Sequence, residues 1–374
     1  MLDSGRKMMR LSVKPLASLL IAVLLASSAV QAQQRPGLPP EKLAKIEKAI
    51  SAQVSKLGIP GLSAAVVLDR KLLWSNGYGL SDVENYVPAK SSTAYRLGSI
   101  SKPVTATAVM QLAERGKIDL DAPIQKYCPA FPQKQWQVTA RLLLGHLSGV
   151  RHYKDDSEFE STRHYSSVVD GLAMFKDDPL GFEPGTKFGY TTHGYAVLGC
   201  AVEGASGMSF PDYVRDNIFK PAAMNRMRVD NVADIIPNRA QGYVKTQRGE
   251  LRNSGLADTS YKIPGGGFIS TVEDLAKFAI AMQSGTLVKK ETLDQMWRSL
   301  KTSDGKDTNY GLGWSVETRN GMKEVHHGGA QQRVSTFLYT IPEKGLAVVL
   351  MANLENVGGG LQSLCREIAD ILPQ

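Results

Sequence analysis

The sequence predicts an α/β (α+β) fold, with an antiparallel sheet flanked by N- and C-terminal helices and a mostly helical region inserted between its early and late strands. Three observations predict it. Strand-like runs cluster near the two ends of the chain. A helical pattern precedes the first strand and another follows the last. The middle reads as helix and loop, broken by many Pro and Gly stops.

The elements follow in order. Arg6, Lys7, Arg10 and Lys14 precede the apolar run "LASLLIAVLLASSAV", which ends in "VQA" at Val30–Ala32. A basic stretch, a short apolar core and small residues at the end predict a secretory signal peptide over residues 1–32. The run is short for a membrane span, and neither Ala32 nor Gln33 is a cysteine that a lipid could modify. The expected mature chain starts near Gln33, is secreted or periplasmic, and has no membrane attachment after cleavage. Losing residues 1–32 lowers the formal net charge from +8 to +5, a mild excess. No basic run interleaved with aromatics points to nucleic acid.

Leu43, Ile46, Ile50 and Val54 recur at helical spacing, with Gly58 as the stop. "GLSAAVVLD" and "KLLWSNGYG" read as a hairpin turning at Asp69, Arg70 and Lys71. A helical pattern runs from Pro103 to Arg115. Ser270 with Glu273 reads as a capping box opening the helix "TVEDLAKFAIAM", and the "PGGG" before it as a place of close backbone packing. Strands return in "YGLGWSVET", "KEVHH", "RVSTFLYTIP" and "LAVVLMANL", and "LQSLCREIADIL" is the final helix. The sheet-containing part is expected at about 40–100 and 262–374, and the helical part at about 101–261. Cys128, Cys200 and Cys365 lack metal-ligand spacing, so no structural zinc is expected. They read as buried small hydrophobes or free thiols, although an exported chain could join two of them.

Ser-x-x-Lys occurs at Ser4/Lys7, Ser99/Lys102 and Ser303/Lys306. The first pair lies in the signal peptide and the third in a polar loop. Ser99 stands just before a helix, where a lysine three residues on shares its face. A serine hydroxyl is a weak nucleophile until a base takes its proton, and a lysine serves only if burial or nearby cations keep it neutral. On the helix pattern alone, a capping serine beside a surface lysine accounts for the pair equally well.

Two further elements break the tie. "PGTKFGYTTHGYAVLG" carries Tyr190, Thr191 and Thr192, and "EVHHGGAQQRVSTF" carries His326, His327, Gly328 and Gly329. With Ser-x-x-Lys they resemble the three motifs of the serine β-lactamase and penicillin-binding protein superfamily. "YRLGSISKPVTATAVMQLAERGKIDLDAPIQKY", "LLLGHLSGV", "PGGGFISTVEDLAKFA" and "IPEKGLAVVLMAN" resemble it in the same order, over most of residues 60–353. The closer resemblance is to the class C and esterase-like branch. "GHLSGVRHYKDD" and "YKIPGGGFISTVEDL" are most similar to the mitochondrial serine β-lactamase-like proteins of animals and their bacterial relatives.

The resemblance implies one β-lactamase-like serine hydrolase domain over residues 33–374, with no cofactor. Ser99 would form an acyl-enzyme, Lys102 and Tyr190 would share proton transfer, and the backbone N–H groups of Ser99 and Gly329 would form the oxyanion hole. Thr192, His326, His327, Gly328 and Gly329 would bind substrate. His326 would stand where the superfamily usually has Lys, orienting the tyrosine or meeting a carboxylate when protonated. Class C enzymes have Tyr-x-Asn and Lys-Thr-Gly where this chain has Tyr190-Thr191-Thr192 and His326-His327-Gly328. Both departures weaken recognition of a β-lactam. Arg333 is a candidate replacement cation.

His146 reads as a satisfied structural histidine, and His152, His164 and His193 lack metal-like spacing. Ser148 and Ser335 lack an adjacent base, and the absence of Gly-x-Ser-x-Gly argues against an α/β-hydrolase. Three functions fit: a hydrolase of peptides, amides or small esters; a true β-lactamase or D,D-peptidase; and a non-catalytic binding or oligomeric scaffold protein. The expected partners are a small-molecule or peptide substrate and, from the resemblance, a second copy of the chain in a homo-oligomer.

Overall fold

Gly61–Leu68 (β1) is buried along almost its whole length, and Lys71–Asp82 (β2) returns antiparallel to it. The turn uses Asp69 and Arg70, both at positive φ (51° and 58°), the geometry that lets two residues reverse twisted strands. The computed structural model describes residues 37–372, so the expected signal peptide lies outside the described residues. Val87–Pro88 (β3), Ser315–Arg319 (β4), Met322–Gln331 (β5), Val334–Ile341 (β6) and Leu346–Ala352 (β7) complete a seven-stranded sheet of order β3-β2-β1-β7-β6-β5-β4. Every neighbouring pair is antiparallel. The two ends of the chain meet at its centre, where Leu62 faces Ala352 and Val66 faces Val348.

Side chains alternate across a strand, so the central strands feed two cores. Leu62, Ala64, Val66, Val348 and Leu350 pack with Pro40–Leu57 (α1) and with the C-terminal helix. Ala65, Val67, Val349 and Met351 pack with the inserted helical region. The two terminal helices therefore share one face, and the insertion covers the other. The helices on that second face are Ser101–Glu114 (α2), His193–Ser206 (α3) and Val272–Gln283 (α4); the C-terminal helix is Gly358–Ile371 (α5). Every residue of α2 from Ser101 to Leu112 is buried, as expected of a helix enclosed on all sides.

Two expectations are corrected. Cys128 and Cys200 form a disulfide, tying the segment after Ile124–Lys126 to α3, and only Cys365 is a free, buried thiol. Spacing carried no trace of this pair, because the two cysteines meet only through the packing of α3. The capping box is also displaced by one residue. Ser270 belongs to the short strand Phe268–Ser270, which pairs with Tyr95–Arg96. Thr271 is the N-cap of α4, its hydroxyl accepting from the Asp274 N–H at 3.3 Å, while Glu273 accepts from the Ser75 hydroxyl at 2.7 Å. Among the described residues no helix is long and apolar enough to cross a membrane.

Candidate active site

Ser99 lies in a single 3₁₀ turn, Gly98–Ile100, that runs directly into α2. Gly98 has φ +54°, and a Cβ there would come within 2.9 Å of the Ala330 backbone nitrogen. The serine turn is thus pressed against β5 as closely as two backbones allow. Gly329 is similarly confined: its Cβ would stand 2.0 Å from the Leu97 carbonyl oxygen.

One turn along α2, Lys102 is 0% exposed. Its Nζ lies 3.0 Å from Ser99 Oγ, 3.1 Å from Thr192 Oγ1 and 2.8 Å from the Gly265 carbonyl oxygen. Among the described residues no carboxylate pairs with it. Burial, and then the nearby charge of Lys262, hold its pKa well below the ordinary lysine value. A neutral amine has two hydrogens and one lone pair. With Gly265 and Thr192 accepting those hydrogens, the lone pair of a neutral Lys102 would face the Ser99 hydroxyl. The "PGGG" segment makes this possible. In the turn Ile263–Gly266, a Cβ at Gly265 would stand 2.7 Å from Thr192 Cγ2.

Tyr190 enters the same space. Lys102 Nζ sits 4.8 Å from the centre of its ring. Burial pushes the phenol above its ordinary pKa, and only the Ser99 hydroxyl counteracts this. The Thr191 and Thr192 N–H groups donate to Nδ1 of His146 (3.1 Å) and of His152 (3.2 Å), so two histidines pin the backbone that follows the tyrosine. The His146 ring lies 4.2 Å from that of Tyr190. It is not fully satisfied as expected, since its buried Nε2 has no hydrogen-bond partner among the described residues.

The third motif divides across the sheet. His327 points toward the serine side: its Nδ1–H donates to the Gly328 carbonyl at 2.7 Å, so Nε2 accepts from the Tyr310 hydroxyl at 2.9 Å. Burial first, and then the charge of Lys102, pull its pKa down to about 3. His326 points the other way. It stacks on Phe337 and Tyr339, with Nε2 3.4 Å from Glu317, and it is not among the residues lining the cleft. Adjacent residues on a strand face opposite sides, so His327 and not His326 faces the serine side; that imidazole is neutral, and it too is not among the residues lining the cleft. Thr192 is also occupied, its hydroxyl turned to Lys102. Arg333 sits in the turn between β5 and β6, lining a small cavity with Arg96 and Arg239 away from the cleft. The Ser148 and Ser335 hydroxyls are buried and accept backbone N–H groups.

Ser99, Tyr190, Thr192, Gly328 and Gly329 line one cleft of about 610 Å³. Sequence reasoning passed over His152, Lys262 and Gln331, which line it too. The first two lie in "GHLSGVRHYKDD" and "YKIPGGG", which carried the resemblance without suggesting a role for either side chain.

The family model described as "Beta-lactamase" matches residues 46–371. The chain belongs to the β-lactamase family. It is 32% identical to the human "Serine beta-lactamase-like protein LACTB, mitochondrial", over 84% of this chain and 76% of that one. The octameric penicillin-binding protein homologue from Pyrococcus abyssi superposes with a TM-score of 0.75 at 27% identity, covering 86% of this chain and 75% of the other. A D-stereospecific amidohydrolase from a Streptomyces species gives 0.71 at 25% identity, covering 83% and 94%. Within this family of β-lactamase-fold serine hydrolases, the antiparallel sheet with helices on both faces is the expected architecture.

Proposed function

We propose that the chain is an exported serine hydrolase that forms an acyl-enzyme at Ser99 and cleaves amide or ester bonds of peptides or small esters. The observation that carries this reading is the buried Lys102 amine, held 3.0 Å from Ser99 Oγ by Thr192 and Gly265, with its pKa lowered by burial. Lys102 takes the hydroxyl proton as Ser99 Oγ bonds to the substrate carbonyl carbon. The oxyanion is received by the Ser99 N–H and by the β5 backbone at Gly329–Ala330, which Gly98 allows to approach. Tyr190 stays a phenol, because its raised pKa disfavours a resting tyrosinate. It passes a proton to the departing amine or alkoxide and is reprotonated from Lys102. Water then cleaves the acyl ester by the same route in reverse.

Small esters and peptides are favoured over β-lactams for two reasons. Thr192 offers no amide, its hydroxyl oxygen accepting from Lys102, and the strand on which the superfamily usually meets a β-lactam carboxylate with a cation carries a buried neutral imidazole bonded to Gly328 and Tyr310. The similarity to the Streptomyces amidohydrolase motivates amides as a substrate class. The disulfide between Cys128 and Cys200 supports export, since such bonds persist in oxidising compartments. N-terminal sequencing of exported protein should begin near Gln33. The octameric Pyrococcus relative motivates a homo-oligomer, which sedimentation would reveal.

The test of function is a panel of chromogenic esters, aminoacyl anilides and a chromogenic cephalosporin, run on wild type and Ser99→Ala. Turnover of esters or anilides should exceed that of the cephalosporin and vanish in Ser99→Ala. Faster cephalosporin hydrolysis would instead identify a β-lactamase, and no turnover of any member would favour a scaffold.

A further inference from the structure

Lys262 is 1% exposed, and its Nζ has no hydrogen-bond partner and no ion pair among the described residues. It is housed by aromatic rings, 4.7 Å from the centre of Phe159, 5.1 Å from Tyr261 and 5.4 Å from Tyr153. Phe159 and Tyr153 line the cleft that holds Ser99, as Lys262 itself does. Gln331, at the end of β5, lines the same cleft, is 4% exposed, and has an unpartnered Nε2. Between the two stands Gly266. A Cβ there would lie 3.6 Å from Gln331 Oε1, 3.6 Å from Lys262 Cδ and 3.9 Å from the Gly98 carbonyl carbon. The glycine thus leaves open a gap bounded by the side chains of Lys262 and Gln331, which meet it with a methylene and the amide oxygen, and by the serine turn. The carboxylates on the rim do not fill it: Asp155 caps the turn Asp156–Phe159, and Asp156 is exposed.

A buried cation without a partner is costly, and so is a buried amide donor without an acceptor. Here both costs fall beside the nucleophile, in a cleft whose third motif supplies no cation. We propose that Lys262 and Gln331 form a receptor for a carboxylate of the substrate, so that this hydrolase prefers anionic esters and peptides to neutral ones. Lys262 supplies the charge from the turn Ser260–Lys262 and not from the strand on which the superfamily usually carries it. The amide of Gln331 donates to the second carboxylate oxygen. The preference for anionic substrates rests on the acyl-enzyme reading, but carboxylate binding does not.

Calorimetry on Ser99→Ala protein at about pH 6 separates the two. N-acetyl-phenylalanine and N-acetyl-phenylalaninamide differ only in the charged group. The acid should bind at least about tenfold more tightly than the amide, and adding Lys262→Met should bring the two within about threefold. Gln331→Leu, which removes no charge and keeps the proposal testable should Lys262→Met fail to fold, should lower the preference about three- to fivefold. Equal binding in Ser99→Ala, no detectable acid binding at about 10 mM, or a preference that survives both substitutions overturns the receptor. The acyl-enzyme reading fails separately, if Ser99 accepts no acyl group from any ester.

Discussion

Lys102 and Lys262 are both buried, at 0% and 1% exposure, and both meet the turn Ile263–Gly266, Lys262 as the residue before it and Lys102 through the Gly265 carbonyl. Desolvation is the largest cause lowering the pKa of each. Their surroundings then separate them. Lys102 has a carbonyl, a threonine hydroxyl and a serine hydroxyl within hydrogen-bond distance, which fix its nitrogen against the Ser99 hydroxyl. Lys262 has only the faces of aromatic rings, which tolerate a cation without satisfying its N–H groups. Burial alone does not assign a lysine its work; what its nitrogen faces, a serine hydroxyl or the walls of the cleft, separates the two.

The largest effect that can break this contrast is Lys102→Met. Removing a general base costs about 10²–10⁴-fold, so kcat/KM on neutral and anionic esters should fall together by about 10³-fold. A variant retaining a tenth of the activity would show that Lys102 is not the base.

The second test is pH. In the proposed mechanism Lys102 works as the free amine, so turnover of a neutral ester should fall only on acidification, through a pKa well below that of an ordinary lysine. Lys262 works as the cation, and its pKa is lowered to about 7. The ratio of kcat/KM for mono-4-nitrophenyl glutarate to that for 4-nitrophenyl valerate should therefore be high below about pH 7 and fall as pH rises through it. The other groups facing Lys262 do not titrate in that window. His152 and His193 are pulled down to about 4 and about 3, and the Tyr153 phenol is pushed up to about 12, while that of Tyr261 is raised further still. Arg96, whose charge also lowers the Lys262 pKa, and Lys102 act equally on both substrates. A flat ratio would remove Lys262 from substrate recognition.

The smallest effect concerns the histidine pair. His327→Gln breaks the bond to Tyr310 behind the tyrosine and should lower kcat/KM about tenfold on either substrate, as expected for a misplaced proton donor. His326→Gln should stay within about threefold, because its ring faces Glu317, Phe337 and Tyr339. If instead His326→Gln abolished the anionic preference, the cation would lie in the third motif and not at Lys262.

Legibility in the sequence follows the same geometry. Ser99 and Lys102 could be paired from spacing alone, since three residues on a helix share a face whatever the tertiary surroundings. The antiparallel sheet could be read because its strands are long apolar runs such as "GLSAAVVLD" and "LAVVLMANL". His326 and His327 could not be separated, because a shift of one residue on a strand exchanges the two faces of the sheet. Thr271 was missed as the helix cap for a related reason: Ser270 is claimed by a strand too short to read. Lys262, Gln331 and the Cys128–Cys200 bond were invisible because each acquires its meaning from segments distant in the chain.

The central claim is that Lys102, its pKa lowered by burial, activates Ser99. The most direct measurement is the pH dependence of labelling by an uncharged fluorophosphonate, with the adduct mapped by mass spectrometry in wild type and Lys102→Met. The account predicts one adduct, on Ser99, formed at a rate that rises with pH to a plateau reached well below the ordinary lysine range and nearly lost in Lys102→Met. An adduct on Ser148, Ser303 or Ser335, or labelling of Lys102→Met at the wild-type rate, would contradict it.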